Sequence, residues 1–359
     1  EESENCRAEI AGGALRADAS TTLLSSGTIR NNTSGKTGGA IYSSKGDLTF
    51  AGGTVSGNTA KTNGGGLYAK ESDVTVSGTA FSANKAGENG GGILASKATI
   101  TITGGSISDN KAVLGAGVLG ESGSKVNMQG GTVSGNTASK NGGGVYAAGG
   151  TFNLYSGGIT SNEASEGGGV HVDRGTFTMN GGGITGNGAN YGGGVDVRVN
   201  GTFTMTGGSL TGKNGDLFYV TNTHCVLTLS GVTLRNEDAD ACLLRVVGNS
   251  ASRGWGTAGS NGAQVEFAAD GQTLAGDIIV DTISNLTMTM KNGSTFTGTI
   301  NIIDNAEGGT AVSDNAVVTI ENGCTWNLTG NCTLTSLTSN GTINFNGYTI
   351  TLADGTVLK

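Results

Sequence analysis

Asp73-Val74-Thr75-Val76-Ser77 and, one repeat later, Thr99-Ile100-Thr101-Ile102-Thr103 alternate apolar and polar residues in strict period two. That period places Val or Ile on one face of a short strand and Thr or Asp on the other. Each stretch is followed by a glycine-containing turn, then by a second short segment that ends in an asparagine, Asn84 or Asn110. The spacing between the two copies is about 26 residues, and it recurs: Asn32, Asn58, Asn84, Asn110, Asn136, Asn162 and Asn187 mark the same position in successive units. Each lies three residues after an apolar one (Ile29, Val55, Phe81, Ile107, Val133, Ile159, Ile184). One such unit cannot bury its own apolar face, so the repeat implies a stack of copies.

Glycine clusters open a third strand in each unit, as in Gly38-Gly39-Ala40-Ile41, Gly64-Gly65-Gly66-Leu67, Gly142-Gly143-Gly144-Val145 and Gly192-Gly193-Gly194-Val195. They fit turns that need positive φ or close backbone approach. The pattern predicts an all-β fold, a right-handed parallel β-helix with three short strands per coil of ~26 residues. About 13 coils, roughly 60–65 Å long, are expected at the usual strand spacing. The recurring asparagines are expected to stack as a ladder at one turn rather than to hold a ligand. Cys6 stands where the next asparagine would fall, so the chain reads as starting inside a coil, as a segment of a longer protein.

Residues 1–215 carry the regular repeat and residues 216–359 an irregular continuation of the same helix, closed by a C-terminal cap. In the second part the alternation persists at Val226-Leu227-Thr228-Leu229 and Leu286-Thr287-Met288-Thr289-Met290, with its longest excursion between Gly248 and Gly262. Asp354-Gly355 between alternating runs predicts a terminal hairpin that covers the last strand edge.

Composition excludes several classes. No proline occurs in 359 residues, where average usage would give roughly 18; uninterrupted strand ladders account for that. The net charge of −8 and the lack of a basic stripe argue against nucleic acid. No apolar run is long enough to span a membrane as a helix. The five cysteines show no metal-binding spacing; they read as buried small hydrophobes, or as a Cys324–Cys332 or Cys225–Cys242 disulfide. No metal and no cofactor is expected.

Stacking lets columns be read from the sequence. The outward position after the glycine cluster runs Arg16, Tyr42, Tyr68, Leu94, Leu119, Tyr146, His171, Asp196, and two residues on it includes Asp173 and Arg198. His171, Asp173, Asp196 and Arg198 thus converge on one patch, with Tyr146 a coil away. The patch reads as a solvated face of paired charges, as a glycan- or protein-binding site with tyrosine platforms, or as an acid/base pair. Tyr42, Tyr68 and Tyr146 are the candidate stacking residues, and no residue is assigned as catalytic. Arg253 and Trp255, in a glycine-rich excursion, are further contact candidates. The acidic run Glu237-Asp238-Ala239-Asp240 lacks the spacing of a Ca²⁺ loop and reads as a solvated turn.

Gly38-Gly39-Ala40-Ile41, Gly12-Gly13-Ala14-Leu15 and Phe81-Ser82-Ala83-Asn84 match the paired Gly-Gly-Ala-apolar and Phe-x-x-Asn motifs of the polymorphic outer-membrane protein family, which residues 6–215 resemble. Those proteins are autotransporter adhesins whose passenger domains are right-handed β-helices. The resemblance implies an exported domain on the bacterial cell surface that binds a host glycan or extracellular protein. A polysaccharide lyase or glycoside hydrolase on one sheet face, and a structural spacer, are the alternatives.

Overall fold

The computed structural model describes residues 2–249 and 256–359. The chain winds as a right-handed parallel β-solenoid of about 12 turns, and no helix occurs among the described residues. Three strands per turn build the wall. The first sheet has 12 strands, among them Ile41–Ser44, Leu67–Lys70, Val170–Asp173 and Val195–Arg198. The second has 13, including Asp47–Phe50, Asp73–Val76 and Thr99–Ile102, and the third has 10, including Thr54–Ser56 and Ala80–Ser82. A fourth strip was not anticipated. Two-residue strands such as Thr59–Ala60 and Lys85–Ala86 form a 6-stranded ribbon between the third sheet and the glycine turn.

Pairing is in register from coil to coil, with Asp73–Val76 set on Asp47–Phe50 and Thr99–Ile102 without a shift. Inward residues therefore stack like on like. Phe152, Phe177 and Phe203 form a continuous column, with ring centroids 5.1 and 5.5 Å apart and near-parallel planes. The inner faces of all three sheets merge into one apolar core that runs from Ala40 to Ile350.

The periodic asparagines form the expected ladder and are completely buried. The side-chain oxygen of Asn110 accepts both the backbone N–H of Asn84, at 2.9 Å, and its side-chain amide, at 3.0 Å. The Asn110 amide in turn donates to the Phe81 carbonyl and to Asn136. Cys6 occupies the next place through its backbone alone, donating its N–H to the Asn32 side-chain oxygen at 2.8 Å.

The glycine turn has three non-equivalent positions. The first is glycine in eight coils from Gly12 to Gly192, always with φ near +60°, as at Gly142 (φ +69°). The later positions are tight but tolerate alanine in Ala14, Ala40 and Ala116.

The first, second and third sheets are continued beyond residue 215 by strands of unequal spacing, His224–Ser230 pairing with Gln264–Asp270 and that strand with Asn285–Lys291. The end is a hairpin. Ile350–Leu352 and Val357–Leu358 make the one antiparallel pairing of named strands among the described residues, with Gly355 at φ +86°. All five cysteines carry free thiols, and Cys225, Cys242, Cys324 and Cys332 are buried, so neither candidate disulfide forms.

Candidate functional site

The outward columns pair as the repeat predicts: Arg16, Tyr42, Tyr68, Leu94, Leu119, Tyr146, His171 and Asp196 follow one another up the first sheet, and Asp173 stands beside Arg198. The expectation of a solvated face fails for most of the patch. His171 and Asp196 are each 0% exposed and Arg198 6%. Tyr146 is also buried and presents no open ring face.

The cause is a second layer. The residue just before each glycine turn forms its own column, in which Asn89 bridges to Leu114, Asn141 to Glu166 and Glu166 to Tyr191. These side chains lie over the outward face of the first sheet. Leu114 packs on Leu94, Leu119 and Tyr146. The Asn141 amide meets His171 Nε2 at 3.2 Å. Glu166 Oε2 lies 2.6 Å from an Arg198 terminal nitrogen. Tyr191 stands against Tyr219, ring centroids 5.1 Å apart.

Within this cover the charges neutralise one another. His171 Nδ1 approaches Asp196 Oδ2 to 2.9 Å, close enough for electrostatic attraction although the pair is poorly aligned as a hydrogen bond. Arg198 Nε sits 2.9 Å from the same Asp196 oxygen. Burial disfavours the Arg198 charge, but Asp196 and Glu166 together outweigh it and hold the guanidinium above the usual arginine range. Tyr146 packs edge-on against His171, with centroids 4.7 Å apart, and donates its hydroxyl to Asp173 at 3.3 Å. Burial and the Asp173 charge push that hydroxyl's pKa up. Asp173 is half-buried and also pairs with Arg174 at 2.8 Å.

Glu166, His171 and Asp196 are the one set of three ligand-type side chains among the described residues whose atoms lie within 4.8 Å of one another. The positive charge that their carboxylates require is supplied by Arg198, which occupies the space between Glu166 and Asp196. A metal would have to displace it.

Tyr42 and Tyr68 remain half-buried at the surface. Their rings stack with centroids 5.5 Å apart and planes 3° from parallel, and the Arg16 guanidinium lies 5.3 Å from the Tyr42 centroid. Arg253 and Trp255 lie outside the described residues.

The repeat register did not point to one further concavity. A cleft of about 450 Å³ opens where the first sheet passes residue 215. Its walls include Tyr191 and Tyr219, and five carboxylates, Asp216, Asp238, Asp240, Asp281 and Asp304, against one guanidinium, Arg245. Asp238 and Asp240, which read as a solvated turn, thus border a cavity. Tyr219 and Arg245 continue the Tyr146–His171–Asp196 column by two more coils; carrying the column past the loss of the 26-residue spacing was the signal that would have found them. Arg245 Nε is 2.6 Å from Asp216 Oδ2, and the Cys242 N–H donates to the other Asp216 oxygen at 2.8 Å.

Compared with known proteins, residues 4–158 match the family described as right-handed β-helix region. No curated protein and no solved structure matches the chain. The match agrees with a β-helix repeat protein, a fold that serves adhesins, lyases and hydrolases alike. No helix among the described residues is long and apolar enough to cross a membrane.

Proposed function

We propose that this chain is a non-catalytic binding segment of a bacterial cell-surface protein, engaging a glycan or an extracellular protein along the outer face of the first sheet. One observation carries the reading. The acid/base-capable residues that stacking brings together, His171 and Asp196, are enclosed and already engaged by Asn141 and Arg198, so neither is left to exchange a proton with a substrate. A general base must come within hydrogen-bond reach of the proton it takes. Contact is left to accessible groups: the Tyr42–Tyr68 stack with Arg16, and the cleft beside Tyr191. Aromatic platforms beside polar side chains suit ligands with one apolar face and many hydroxyls.

A binding screen on arrayed glycans and extracellular-matrix proteins, with product analysis of every bound polysaccharide, tests this. Saturable binding with intact ligand, weakened by Tyr42→Ala, Tyr68→Ala or cleft substitutions, is the expected result. New reducing or unsaturated ends would place the chain among carbohydrate-active enzymes. Absence of both binding and cleavage would leave a spacer.

A further inference from the structure

The cleft bounded by residues 190–306 holds more negative charge than its own contacts use. Asp216 is matched by Arg245, and Asp238 accepts the backbone N–H groups of Gly215 at 2.9 Å and Asp240 at 3.1 Å. Asp281 is different. It is 1% exposed, yet it lines the cleft. Its Oδ2 accepts the Gly248 N–H at 2.7 Å and the Asn305 amide at 2.6 Å, whereas its Oδ1 is buried with no hydrogen-bond partner. A buried carboxylate oxygen without a donor is costly, and a ligand that supplies the donor recovers that cost.

The donor has to be cationic to suit five carboxylates and one guanidinium already paired. A compact divalent ion fits poorly, because no three of these carboxylates bring their oxygens within 4.8 Å of one another. An ammonium on a larger body fits better: its N–H groups are directed to Asp281 Oδ1 while the body lies along Tyr191, the cleft tyrosine that is not buried. We propose that the cleft binds a glycan bearing free amino groups, with one sugar ammonium at Asp281 and Asp304 and the ring against Tyr191. The proposal rests on the binding reading above and names the ligand class for one part of that surface.

The test is titration of the full chain with glucosamine oligomers, their N-acetylated counterparts of equal length, and neutral gluco-oligosaccharides. Saturable binding of the amine form, at least tenfold tighter than the acetylated form and weakened by added salt, is expected. Asp281→Asn is expected to weaken it tenfold or more. Asp304→Asn, at an exposed position, repeats the test without touching the core, and Asp73→Asn on the second sheet is expected to change nothing. Equal affinity for the acetylated or neutral oligomers would overturn the ammonium site while leaving glycan binding in place. Saturable binding of CaCl₂ alone, lost in Asp281→Asn, would overturn it in favour of a metal site. Binding to matrix proteins with no response to any oligosaccharide would overturn it and leave the wider reading standing. No binding in either the titration or the screen would overturn both.

Discussion

Asn110 and its six ladder partners do what a single exposed asparagine could not. From Asn58 to Asn162 each side-chain oxygen takes two donors from the coil before it and each amide donates twice, whereas the Asn32 oxygen takes one donor and the Asn187 amide donates once. Asn110→Ala leaves the Asn84 backbone N–H and one of its two amide hydrogens unsatisfied in a buried site, the other still bonding the Val55 carbonyl, so a loss of about 2–4 kcal/mol is expected by urea unfolding. The ladder was legible because the asparagine recurs at a fixed place after an apolar residue. The state of the cysteines was not, since spacing alone cannot tell a buried thiol from a disulfide. Burial, opposed weakly by a hydrogen bond to the Phe203 backbone, pushes Cys225 up to about 12, so at pH 8 its thiolate is scarce as well as enclosed. Thiol labelling of the native protein is expected to modify Cys6, the exposed one, and unfolding in denaturant to release the other four.

At the scale of the element, the glycine turn and its neighbours decide what the outer surface is. Gly142 adopts φ +69°, and a Cβ there would meet Tyr146 Cβ at 2.7 Å and the Val145 carbonyl oxygen at 2.8 Å. Gly142→Ala is expected to cost about 1–2 kcal/mol from the left-handed backbone alone, and more from the clash, as a lowered melting temperature. Ala116 at the following position shows that the requirement is local. The column before the turn, Leu114-Asn141-Glu166-Tyr191 across successive coils, escaped reading because its residues share no chemistry. They act together only by leaning over the strand beside them. That is why the charge patch was legible as a cluster and misread as solvated. The hairpin at the C-terminal end was signalled directly by Asp354-Gly355. Asp354 accepts the Thr356 N–H at 2.8 Å, and that bond holds its carboxyl below the usual value. A depressed folded pKa contributes stability above the unfolded value, which is lost as pH falls through the lowered one. The protection of the Thr356 amide, its exchange measured against an unstructured peptide at the same pH, is therefore expected to fall under acid, and Asp354→Ala to abolish that pH dependence.

Across the whole molecule, a single stacking rule carries the core, and its breakdown near residue 215 creates the cleft. Up to that point the coils depart from one length only by single residues, with small register shifts at Ala112/Leu114 and between Thr185 and Gly188, and outward side chains are either tiled over or aligned in shallow ladders such as Tyr42–Tyr68. Beyond it the 237–243 and 256–263 segments leave the coil path, and a cleft forms beside them over the first sheet, whose strands stay paired from Phe218–Thr221 to Ile300–Ile303. Excursions of this kind depend on long-range packing that no repeat length encodes, so Asp216 and Asp281 could not be placed beside Arg245 from spacing. On the proposed reading the charged cluster beneath the cover layer is structural and ligand contact lies elsewhere. The chain has two histidines, one on each side of that distinction: His171 is enclosed, and His224 is paired with Glu266 at 3.1 Å with about half its side chain exposed. Diethyl pyrocarbonate modification of the native protein, read residue by residue by mass spectrometry, separates them. Prompt modification of His224 with His171 protected until unfolding is the predicted result; modification of His171 at a comparable rate would mean that solvent and substrate reach the cluster, and would contradict the account.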